Sequence, residues 1–79
     1  MKIKVRLFAS FKKHLPGLAL GESAEIHLEP GASIKTLWEY LGLPDDEVKI
    51  NFVNGISREG DFTLSENDDI GIFPLIGGG

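Results

Sequence analysis

The chain has 79 residues, 42% hydrophobic and 25% charged, with no cysteine and a formal net charge of −4. This length makes one domain, residues 1–79. The missing thiols exclude disulfides, zinc–thiolate sites and thiol catalysis, and the acidic balance argues against non-specific nucleic-acid binding.

The opening stretch alternates, with Ile3, Val5 and Leu7 on one face and Lys2, Lys4 and Arg6 on the other, which predicts a half-buried strand. The cations also break up any signal-peptide pattern, and no apolar run approaches the roughly 18–20 residues that span a bilayer. A cytoplasmic protein without a membrane partner is expected. Phe8 continues the lysine face and is predicted to be an exposed aromatic, while a basic strand on an acidic chain suggests a protein contact.

Phe11 and Leu15, four residues apart, suit one helical turn that Pro16-Gly17 ends. A second strand is predicted around Ala24, Ile26 and Leu28, all facing inward. The clearest helix follows: Ser33 is an N-cap candidate, Ile34, Leu37, Trp38 and Leu41 share one face, and Gly42 and Pro44 stop it. Asp45, Asp46 and Glu47 make an acidic loop before a third strand, whose facing is ambiguous because Phe52 and Val53 are both apolar. Asn54-Gly55 signals a tight turn. A short element is expected around Phe62, Thr63 and Leu64, then a polar turn over residues 65–69 and a last strand through Ile70, Ile72 and Phe73.

This order predicts an α+β fold, a mixed four- to five-stranded sheet with one main helix across it and the first and last strands parallel in its centre. The expected core is Ile3, Val5, Leu7, Ile26, Leu28, Ile34, Leu37, Leu41, Ile50, Ile70 and Ile72. Because Ile70 and Ile72 face inward, Phe73 should face outward. Beside Phe8, and edged by Arg6 and Lys4, it would form an apolar docking patch.

Catalytic constellations are scarce. His14 and His27 are read as surface residues, so no metal site is expected. There is no nucleophile elbow or Walker loop, and the acidic turn lacks the calcium-loop pattern. The chain therefore does not read as an enzyme by itself. The closing segment, Ile76, Gly77, Gly78 and Gly79, is either an incidental end or a working arm. Glycines can thread a narrow channel, and residues 75–79 read as a flexible tail that reaches about 17 Å when extended.

The "VRLFAS" opening, the "PGAS" lead into the helix, "VNG", the acidic turn and the "IFP" and glycine ending together resemble the MoaD/ThiS sulfur-carrier family of ubiquitin-like β-grasp proteins. Within it the resemblance is to molybdopterin synthase small subunits. It implies that Gly79 is adenylated with ATP by an enzyme related to ubiquitin-activating enzymes and converted to a thiocarboxylate. The sulfur then goes to an acceptor on the synthase large subunit in molybdenum- or tungsten-cofactor synthesis. No cofactor is expected to be bound. Gly77, Gly78 and Ile76 would occupy the partner's channel, with Phe8, Phe73, Arg6, Pro74 and Leu75 at the docking surface. Two departures stand out: Leu75 follows Pro74 where the family commonly repeats proline, and three glycines replace the usual two. A thiamin-pathway or other carrier, and a ubiquitin-like interaction or conjugation module, are the alternatives.

Overall fold

Ile3, Val5 and Leu7 point into the core from β1 (Lys2–Leu7), as the alternation predicts. The computed structural model describes residues 1–19, 21–47 and 49–75. Phe11, in a 3₁₀ segment (Ala9–His14), is 1% exposed and closes one end of the core. β2 (Ala24–His27) returns antiparallel to β1, with Ile26 opposite Ile3. Leu28, expected in the core, is only half-buried, because it lies just past the end of an edge strand.

Helix α1 (Ile34–Leu41) begins with a reciprocal cap in which Thr36 N donates to Ser33 Oγ and Ser33 N to Thr36 Oγ1. Two further orphan donors of its first turn are satisfied by the chain that follows: Ile34 N donates to the Phe62 carbonyl and Lys35 N to that of Gly60. At the other end Gly42 takes the left-handed conformation, φ 71°.

β3 (Lys49–Val53) and β4 (Ile56–Arg58) form a hairpin around Asn54 and Gly55, both at positive φ, the conformation a two-residue turn demands. β5 (Asp69–Pro74) runs parallel to β1 and antiparallel to β3, giving the strand order β2-β1-β5-β3-β4. The parallel central pair and the helix layer agree with the expected architecture.

Two expectations are corrected. Ile50 is not in the core: β3 pairs Val53 with Ile70 and Asn51 with Ile72, so Val53 and Asn51 face inward and Ile50 lies outward opposite Phe73. Asn51 tolerates burial because its Oδ1 accepts the Trp38 indole N–H at 2.9 Å. The short strand is β4 rather than residues 62–64, which make a single bridge, Thr63 to Ser33, and bury Leu64. Phe11, Ala32, Leu43, Val53 and Leu64 complete the core.

Candidate partner-docking face

The parallel pairing of Leu7 with Ile72 sets Phe8 beside Phe73 on the sheet face opposite the helix. A hydrogen bond from Phe8 N to the Ile72 carbonyl, 3.1 Å, holds Phe8 against β5. The two rings stack with centroids 4.4 Å apart and planes within 7°. Phe52, from β3, meets Phe73 edge-on at 5.8 Å and 82°. Gly71 supplies the floor: a Cβ there would lie 3.3 Å from Phe8 Cε2, tighter than ordinary contact. A groove of about 330 Å³ runs between these rings and the polar end formed by Arg6, Asn54 and Asp69.

That polar end is tied together by the turn preceding β5. The Arg6 guanidinium donates to both carboxylate oxygens of Asp69, at 2.9 and 3.2 Å, and its Nε to the Gly21 carbonyl at 3.3 Å. Asp69 N donates to Asn54 Oδ1, and Asn54 Nδ2 to Asp68 Oδ1. Ser65 N donates to Asp68 Oδ2 at 2.7 Å. Asp68 is 8% exposed, so part of the acidic turn is a buried clamp between two connections. The basic face of β1 is largely neutralised, with Lys2 paired to Glu25 at 3.3 Å and Arg6 to Asp69.

The structure thus brings together Phe8, Phe73 and Arg6 from the sequence-predicted set, and carries the chain past a half-buried Pro74 to an exposed Leu75. Proline has no N–H for the ladder, which suits the end of a strand. Phe8 and Phe73 are half-buried rather than fully exposed, because each covers the other. Ile76, Gly77, Gly78 and Gly79 lie outside the described residues. Sequence reasoning missed Phe52, Gly71 and Asp68. The period-two rule, counted back from the Asn54-Gly55 turn, puts Phe52 and Val53 on opposite faces but leaves open which is outward.

His27 is exposed, whereas His14 is half-buried, its Nε2 enclosed without a partner among the described residues. No group of three or more His, Cys, Asp or Glu among the described residues is placed to hold a metal ion. No described helix is long and apolar enough to cross a membrane.

Among solved structures, the chain is similar to a putative molybdopterin converting factor subunit 1 from Pyrococcus furiosus, at 29% identity and TM-score 0.72, covering 95% of this chain and 98% of that one. It also shares its fold with SAMP1 from Haloferax volcanii (17% identity, TM-score 0.71, 100% of both chains). The Caldiarchaeum subterraneum ubiquitin is a further fold relative (18% identity, TM-score 0.58, 100% of this chain and 98% of that one). The fold is therefore the ubiquitin-like β-grasp. No curated protein matches. A model of the Mut7-C ubiquitin family matches residues 1–77, and the chain belongs to that family, as a ubiquitin-like domain of the MoaD/ThiS kind.

Proposed function

We propose that this protein is a sulfur carrier that works through Gly79, at the end of the arm that β5 leads into, in the cytoplasm. The Gly79 carboxylate attacks the α-phosphorus of ATP on an activating enzyme related to ubiquitin-activating enzymes, and pyrophosphate leaves. Sulfur at the sulfide level, as hydrosulfide, then attacks the acyl carbon; the C–S bond forms as the acyl C–O bond to AMP breaks, giving the thiocarboxylate and free AMP. The acceptor is the pterin precursor on a molybdopterin synthase large subunit, and catalytic side chains belong to the partners. Ile76, Gly77 and Gly78 thread the partner's channel, while Phe8, Phe52, Phe73 and Leu75 dock the carrier at its mouth.

The observation that carries this reading is the stacked aromatic cluster at the root of the arm, where Phe73 is followed directly by Pro74 and Leu75. Support also comes from the 29% identity over 95% of the chain to a protein described as a molybdopterin converting factor subunit. The fold shared with a small archaeal modifier protein supports a second reading, in which the same activated carboxyl is joined to a lysine.

Intact mass after incubation with ATP, a sulfur source and the activating enzyme tests both. Replacement of one oxygen by sulfur, confined to the C-terminal residue, is the expected outcome. A covalent protein adduct instead favours the modifier. A variant extended beyond Gly79 should gain no sulfur, and sulfur uptake by that variant without trimming would defeat the proposal.

A further inference from the structure

β2 is an edge strand, its outer side unpaired among the described residues. Met1 and Leu28 exchange both backbone bonds, Met1 N to the Leu28 carbonyl at 3.0 Å and Leu28 N to the Met1 carbonyl at 2.9 Å. Bonded pairs alternate along an antiparallel ladder, so Ile26 and Ala24 bond back to β1, and the N–H and C=O groups of Glu25 and His27 point to the open edge. Among the described residues nothing bonds the backbone of these two. Glu29 has the same phase, but its carbonyl already accepts from Ala32 N at 3.1 Å. Within β2 the edge therefore offers two outward residues, an acid and a histidine, whose side chains are both exposed.

We infer that a second copy of this chain covers the edge, its β2 antiparallel to the first about a two-fold axis at Ile26. Antiparallel pairing joins outward groups only to outward groups, which limits the two-fold registers. Centring on Glu25 sets that carboxylate against its own copy, and like charges directly opposite are destabilising. Centring on His27 sets Glu25 against Glu29, again like charges, and the Glu29 carbonyl is taken. Centring on Ile26 sets Glu25 opposite His27 of the second copy, and His27 opposite its Glu25. Four N–H···O=C bonds then form, and each carboxylate faces an imidazole whose ring N–H can donate to it. Lys4 already lies opposite Glu25 on β1, and Lys2 pairs with Glu25 at 3.3 Å, so each acid of the seam has bases on both sides. The same strand is thus its own complement in the register that the ladder's phase demands.

The axis stands perpendicular to the sheet, so both copies of α1 lie on one side of it. On that side Ile26 meets its counterpart, and the half-buried Leu28 is set against the half-buried Ala24, a large residue against a small one. The seam is short, so the dimer is weak, with a dissociation constant on the order of 0.1–1 mM. Phe73 lies on β5, two strands in from this edge, so pairing leaves the aromatic face open and is independent of the sulfur-carrier reading.

Sedimentation velocity and amide NMR of the full chain, from about 0.02 to about 2 mM, bracket that constant. The expected result is a monomer–dimer equilibrium in which the Glu25 and His27 amides shift and exchange more slowly as concentration rises. Glu25→Lys and His27→Glu, both at exposed side chains, should each dimerise about tenfold more weakly. Mixed in equal amounts, the two variants should pair about as tightly as the unaltered chain, because both seam pairs again join a carboxylate to a base. That recovery is specific to Glu25 facing His27, and a folding defect in either variant would not produce it. A chain that stays monomeric at about 2 mM overturns the inference and leaves the edge to a different protein. Shifts confined to β4 or to Phe8 and Phe73, or a mixture no tighter than its components, would overturn it as well.

Discussion

Asp68 and Gly60 are two residues whose roles come from what surrounds them. Asp68 accepts from Asn54 Nδ2 and Ser65 N and is almost fully buried, so Asp68→Ala strands two donors. The expected loss is about 1–3 kcal/mol, read as a lower urea midpoint with an unchanged slope. At Gly60, an added Cβ would sit 2.7 Å from Cη2 and 3.0 Å from Cζ3 of Trp38. Gly60→Ala must push the indole away from Asn51, at about 1–3 kcal/mol. Trp38 is the sole tryptophan, so a red-shifted emission in the folded variant reports the displacement directly. Neither role was legible beforehand, since an acid in a polar turn and a glycine in a loop look the same whether or not a distant side chain packs on them.

Elements were more legible, because capping and alternation act over a few residues. Ser33, Gly42 and the spacing of Ile34, Leu37 and Leu41 marked α1 correctly at both ends. Ser33→Ala removes the oxygen that accepts Thr36 N and should cost about 1 kcal/mol, seen as a lower melting temperature with the helix otherwise intact. β4 escaped detection because all three of its residues are exposed and carry no burial pattern, although Asn54-Gly55 demanded a partner strand. Residues 62–64 drew the assignment instead on their apolar character. Their backbone serves another purpose, since the Gly60 and Phe62 carbonyls receive the first amides of α1.

For the whole molecule, the decisive contact is β5 between β1 and β3, which joins the two ends of the described chain. Truncation after Asp68 removes the central strand with Ile70 and Ile72, both fully buried, and should abolish the cooperative melt. Truncation after Leu75 leaves every described core residue in place, and thermal unfolding followed by circular dichroism is expected to be unchanged. The same pairing concentrates Phe8 and Phe73 at one end of the outer face.

By itself the sequence determined which residues of β1, β2 and α1 face inward, where the helix stops, and that Phe8 and Phe73 belong to the outer face. These follow from periods of two and 3.6 residues, which are local properties of a chain. The tertiary structure decided that Asn51 rather than Ile50 faces the core, that Phe52 completes the aromatic cluster over Gly71, and that Asp68 is a clamp. Each of these depends on strand register, and register is set by partners many residues away in sequence.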